Sequence, residues 1–214
     1  MLKQTIALFL LLLGACSMTT SVEGSGVTLI DNRALGSFSS VEFAGSFEAT
    51  VIVGDRNEVV VDGDDNLQKH LITKIDGDTL EVYVERGYSL DPMPTVTVYV
   101  TDLASLGLAG SGDLTVTNAD SVDLELWIAG SGTMRIEGIC DSLSVDIAGS
   151  GDVHCFELEA GSVNIDIAGS ADVEVHAREA LVVDIAGSGE VLYKGDPSVE
   201  QSVAGSGDIR RVTD

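Results

Sequence analysis

Acidic side chains recur at two fixed places in this 214-residue chain, and they are its clearest candidates for chemistry. Asp113, Asp152, Asp172, Glu190 and Asp208 each follow a short Ala-Gly-Ser corner, where Thr133 stands once instead. Asp146, Asp166 and Asp184 form a second series, two residues ahead of the corner's alanine. Carboxylates stacked at the strand spacing of about 4.8 Å would repel one another, and oxygen ligands at that density suit Ca²⁺. The commoner use of such acids is to keep a strand face solvated or to cap a corner. We therefore expect no metal centre and no cofactor, with Asp113, Asp152, Asp172, Glu190 and Asp208 as the calcium candidates should one exist. His70, His154 and His176 lie far apart and match no zinc spacing.

Nucleophilic catalysis finds little to work with. Gly-Ser-Gly occurs, but within a corner that returns along the chain, which a single active site would not need. Carbohydrate-active enzymes built on β-helices set their acids beside a Lys or Arg that takes a proton. Between residues 87 and 209 the only cations are Arg135, Arg178 and Lys194. We expect no enzyme. The whole chain has 11 basic and 35 acidic side chains, a formal charge of -24, so phosphate-backbone recognition is excluded as well. A hydrophobic share of 44% and a mean hydropathy of +0.26 exclude a disordered chain despite that charge.

The elements that carry these acids are repeats. Ala109-Gly110-Ser111-Gly112-Asp113 returns at Ala129, Ala148, Ala168, Ala186 and Ala204, at spacings of 20, 19, 20, 18 and 18 residues. Eleven of the 24 glycines fall in these six corners, which accounts for the glycine excess. Ahead of each corner apolar residues alternate, as in Leu143, Val145, Ile147 and in Val163, Ile165, Ile167. A shorter alternating stretch follows it, with Leu114 and Val116, or Val153 and Cys155. Period two predicts strands with one buried face. A single such unit cannot bury its own apolar face, whereas stacked units share a core. Coils of 18–20 residues that return to one spot predict an all-β, right-handed parallel β-solenoid, or β-helix, over residues 103–214. Residues 27–102 are richer in irregular strands and read as its N-terminal cap, with a helical turn or short helix expected within residues 64–75. Trp127 takes the outward place that Asp holds in other coils, either as an exposed contact or covered by the cap.

The N-terminus carries an address. Lys3 precedes an apolar run from Ile6 to Leu13, too short to span a bilayer comfortably, and Leu13-Gly14-Ala15-Cys16 ends it. The layout resembles a bacterial lipoprotein signal, so residues 1–15 are expected to be removed and Cys16 to be lipidated. Several acyl chains hold a protein where one binds only reversibly. Ser17, rather than Asp, follows the cysteine and favours the outer membrane by the same resemblance. Residues 16–26, small and polar, read as a flexible tether. Cys155 sits at a core position and Cys140 in a turn. An envelope compartment permits a disulfide between them, but their placements differ.

Taken together, Phe38 to Phe47 (FSSVEFAGSF), residues 57–64 with Asn66-Leu67, Gly77-Asp78-Thr79-Leu80-Glu81-Val82 and the serial Ile-Ala-Gly-Ser-Gly corners resemble one bacterial envelope family, the putative auto-transporter adhesin head GIN domain. The likeness spans roughly residues 34–214. It implies a β-helical fold, secreted or surface placement and no catalytic residues. The reading is a lipid-anchored envelope protein that serves as a non-enzymatic interaction or adhesion module. Its partners are the membrane through its lipid and an envelope protein or glycan. The alternatives are a calcium-stabilised structural spacer and a carbohydrate-active β-helix enzyme.

Overall fold

Alternation of apolar and polar residues commits nearly every stretch of this chain to extended backbone. The computed structural model describes residues 19–213, and among these there is one 3₁₀ turn and no α-helix. The cap contains β1 (Thr20–Glu23), β2 (Thr28–Ala34), β3 (Ser40–Gly45), β4 (Glu48–Val53), β5 (Glu58–Asp64), β6 (Leu71–Asp76), β7 (Thr79–Val84), β8 (Tyr88–Asp91) and β9 (Thr95–Val100). The turn Gln68–His70 lies between β5 and β6, where a helical turn is expected from the sequence, and is only one turn long. The repeats follow as β10 (Ser105–Gly110), β11 (Asp113–Gly130), β12 (Thr133–Gly149), β13 (Asp152–Lys194), β14 (Ser198–Gly205) and β15 (Asp208–Arg211).

Within the repeats every pairing between strands is parallel and lies one repeat apart. Ala109 stands opposite Ala129, Ala129 opposite Ala148, Ala148 opposite Ala168, and Ala186 opposite Ala204. The sequence period is therefore the ladder register. Inward columns follow: Val41, Leu106, Leu126, Val145 and Ile165 lie side by side, all fully buried. Each such side chain contributes roughly 2 kcal/mol of burial. Met134, Val153 and Val173 line the core beyond the corner. The turn expected after that second strand is itself part of the ladder. Ser121, Cys140 and Ala160 stand in one register column, with Cys140 and Ala160 buried. Cys140 thus sits on a third wall of the core, not in a turn.

The irregular strands expected of the cap break the parallel order of the repeats, so the sheet is not the purely parallel one a β-solenoid would have. β3 and β4 stack in parallel on β10 and β11 and so begin the columns. Beyond them, β2 pairs antiparallel with β5, β5 with β9, and β6 with β7. The result is a curled, mixed 13-stranded sheet rather than a parallel one throughout. Short connections explain the change: β6 and β7 are joined through Gly77 and Asp78 alone, and a two-residue link can only turn a chain back on itself. β2 and β6 are the two outer edges of this end.

The segment read as a flexible tether is also partly built in. β1 pairs in parallel with β8, matching Thr20 to Tyr88 and Glu23 to Asp91. Gly24 N donates to the Asp91 carbonyl at 2.8 Å, and Ser25 N to Asn66 Oδ1 at 2.9 Å. The expected signal segment 1–15 and Cys16 lie outside the described residues. No helix among the described residues is long and apolar enough to cross a membrane.

Candidate interaction face

Outward positions of the strand before each corner make one continuous strip. In register, Trp127 is followed by Asp146 and Asp166, and Asp184 by Ser202. Beside that column runs one of exposed alanines, Ala129, Ala148, Ala168, Ala186 and Ala204. The two columns line a shallow open groove of about 500 Å³. Because the backbone ladder sets the spacing, methyls and carboxylates repeat along it at about 4.8 Å.

Trp127 closes one end and is half-buried. Its indole lies on the backbone of Gly107, one coil earlier, where any Cβ would fall 2.1 Å from the ring. Glycine at 107 is thus the seat of the tryptophan. Period-two patterning does not reveal this, since Gly107 reads only as a gap in a strand. Neither expected placement of Trp127 holds in full: the ring lies on a coil strand and keeps one face in the groove. At Asp146, partial burial raises the carboxyl above the usual aspartate range, and the charges of Asp166 and Glu125 push the same way. Asp166 accepts a 2.9 Å hydrogen bond from Asn164 Nδ2.

The acids after the corners lie along a different edge. Asp152, Asp172, Glu190 and Asp208 line a recess of about 380 Å³ with Ser170, Ser188, Ser206 and Arg210. Arg210 reaches both Glu190 and Asp208 at 2.7 Å, and Arg135 approaches Asp113 at 3.6 Å. Asp152 Oδ1 accepts from the backbone N–H of Asp172 at 3.2 Å. So the chain's own cations and amides meet part of this column. Among the described residues no three His, Cys, Asp or Glu side chains converge as metal ligands.

The remaining candidates are dispersed. His154 Nδ1 lies 2.8 Å from Glu174, and His70 Nδ1 lies 2.9 Å from Glu85, on different parts of the sheet. Cys140 and Cys155 are both buried with free thiols. Burial pushes the Cys140 thiol up to about 11, aided by Asp141 and opposed by Arg178, and burial raises Cys155 further. Neither is poised as a nucleophile at neutral pH.

Over residues 37–197 the chain matches the family described as putative auto-transporter adhesin, head GIN domain. The chain belongs to that family. Solved structures share the fold seen here. A putative adhesin from Bacteroides fragilis superposes with a TM-score of 0.76 at 16% identity, covering 89% of this chain and 100% of its own. A putative lipid binding protein from Parabacteroides distasonis gives 0.56 at 23% identity, covering 91% and 100%. A putative adhesin from Parabacteroides merdae gives 0.50 at 19%, covering 90% and 99%. At these identities the likeness is one of fold. No match was found among curated proteins. Neither the family description nor those of these neighbours names an enzyme.

Proposed function

We propose that this GIN-domain protein is a non-enzymatic adhesion module of the bacterial envelope, held to the outer membrane by a lipidated Cys16 and presenting the Trp127 strip to its partner. The observation that carries the reading is the strip itself. It joins an aromatic ring seated on Gly107 to an exposed alanine track and a matched aspartate column. Aromatic anchors beside flat apolar ground are what recognition surfaces concentrate, and fixed backbone spacing suits an extended ligand. A neighbour of the same fold described as a putative adhesin, and the family description, support the same class of function. Residues 1–15 then act as the removed signal and Leu13-Gly14-Ala15-Cys16 as the lipidation site. The repeats are taken as a right-handed parallel β-solenoid, a reading supported by their register one repeat apart and by the hand that parallel crossovers favour. The calcium-spacer and enzyme alternatives draw no support from the geometry: Arg210 already meets two acids of the corner column, and no cation stands in the strip groove.

The test is capture from intact envelopes with the mature protein, set against Trp127→Ala and Ala148→Glu variants. A partner recovered by the parent and lost by both variants is the expected result. Equal recovery by all three would remove the strip from the function.

A further inference from the structure

We propose that the capped end of the sheet docks on the phospholipid surface to which the chain is anchored, so that the repeat stack stands away from it. This deepens the preceding reading and rests on lipidation at Cys16. The first argument is reach. β1 is held on the body by its pairing with β8, and Thr20 N donates to the Gly87 carbonyl at 2.8 Å. Only three residues separate Cys16 from Thr20, and over those four steps a fully extended chain covers at most about 3.5 Å per residue. Thr20 therefore lies within about 14 Å of the acyl attachment, about twice the depth of one headgroup layer, and the capped end cannot stand far from the surface.

Surface chemistry at that end is the second argument. Val27 is 58% exposed, Leu29 48%, Ile30 59% and Tyr88 37%. These are half of the large apolar residues exposed among the described residues, gathered at one end of an otherwise acidic molecule. They belong to one piece of structure. Gln68 Nε2 donates to the Leu29 carbonyl, and two residues later His70 stacks on Tyr88 with ring centroids 4.1 Å apart. Tyr88 is the register partner of Thr20. Lys69, in the same turn, and Arg86, two residues before Tyr88, are exposed cations. Aliphatic side chains, a tyrosine and long cationic arms are the set that settles at headgroup depth, where phosphates meet the cations. The neighbouring acids are largely occupied. Asp64 accepts from Gly26 N, Asp65 from Ser25 Oγ, and Glu85 holds His70. The unpaired side of β2 stays satisfied there too, because water reaches that depth.

Apolar exposure rather than net charge sets the orientation, since carboxylates outnumber Lys and Arg in the cap (15 to 5) as they do in the repeats (20 to 5).

The experiment uses the full lipidated chain in phosphatidylcholine vesicles, with an environment-sensitive thiol dye at Ile30→Cys or, for comparison, Ile139→Cys. Ile139 is 54% exposed but lies in the repeats, and the buried Cys140 and Cys155 thiols leave labelling to the new site. Docking predicts a blue shift at position 30, with quenching by lipids spin-labelled near the headgroup, and neither effect at 139. Equal emission and no quenching at both positions would overturn it. So would concentration-dependent pairing of two copies through β2 that accounts for the shift at 30. Intact mass separates the underlying reading: an unacylated Cys16 removes the short leash and this proposal with it, while leaving the strip as an interaction face. Val27→Asp with Ile30→Asp gives a second readout, losing the interaction with an unchanged melting temperature.

Discussion

The cap and the repeat stack are two ends of one sheet, and they are held together by different means. In the stack almost all cohesion comes from ladder bonds and buried columns, and the side chains between strands are mostly apolar or solvated. In the cap, side chains reach for backbone. Arg33 donates to the Leu71 carbonyl at 2.8 Å, to the Gln68 carbonyl at 2.9 Å and to Thr73 Oγ1 at 3.1 Å, while pairing with Asp31. That guanidinium links the edge strands β2 and β6 and the turn that leads into β6. Lys74 likewise meets Glu81 at 3.0 Å. Repetition lets a stack satisfy itself, because each coil's edge is the next coil's partner. An end has no next coil, so it must be closed by groups that reach sideways.

The sharpest way to break this comparison is at the corners. Gly149 has φ 132°, and a Cβ there would meet the Gly130 carbonyl oxygen of the previous coil at 2.3 Å. Gly45, at the first corner, has φ 138°, but its nearest obstacle is the ring of its own Phe47 at 3.1 Å. Gly149→Ala should cost about 3 kcal/mol or more, since strain and a backbone collision add. Gly45→Ala should cost about 1–2 kcal/mol, from conformation alone. Equal midpoints in urea would mean that coil contact adds nothing to the corner's demand for glycine.

Removing Arg33 attacks the other end. Arg33→Ala leaves half-buried carbonyls without their donor and should cost about 2 kcal/mol, whereas the exposed Arg210→Ala should leave the unfolding midpoint nearly unchanged. Amide hydrogen exchange locates the loss: β2 and β6 should exchange faster while the repeats keep their protection. Loosening of both ends together would show the sheet to be a single cooperative unit.

Gly107→Ala is a smaller perturbation with a clean signal. It evicts the indole of Trp127, the only tryptophan in the chain, so emission should move to the red with a loss of about 1–2 kcal/mol. Emission that stays put would mean the ring has another seat.

The smallest effect concerns the aspartate column. A carboxyl whose folded value lies above its unfolded one destabilises the fold at neutral pH, and that penalty is relieved as pH falls through the folded value toward the unfolded one. Asp146 is raised in this way, first by burial and then by Asp166 and Glu125. Asp146→Asn should therefore stabilise at neutral pH by a few tenths of a kcal/mol. It should also gain less than the parent on mild acidification, as thermal melts at the two pH values would show.

Much of the stack was legible because its signal is redundant. Six copies of one corner state the period, the period is the register, and alternation within one copy says which side chains face in. Leu143, Val145 and Ile147 needed no structure to be placed in the core. The cap has no such redundancy. β5 and β9 alternate in the same way whether their neighbours run parallel or antiparallel, and their partners lie tens of residues away in sequence. The third wall was missed for a related reason. Around Ala119, Cys140 and Ala160 each coil uses different residue types, with Gly138 and Asn118 at positive φ, and that irregularity reads as turn. In the strip the acids and alanines were visible as columns, whereas Gly107 carried no signal of its own until the ring it supports was placed.

The column of alanines has a further implication for how this surface can change. Because Ala129, Ala148 and Ala168 are ladder partners, each coil contributes one methyl and one outward neighbour to the strip as a fixed pair. Duplicating or losing an 18–20 residue unit would lengthen or shorten the strip by about one strand spacing without disturbing either end. Contact length and contact chemistry are thereby separable: the number of coils sets the first, and single outward residues such as Trp127 set the second.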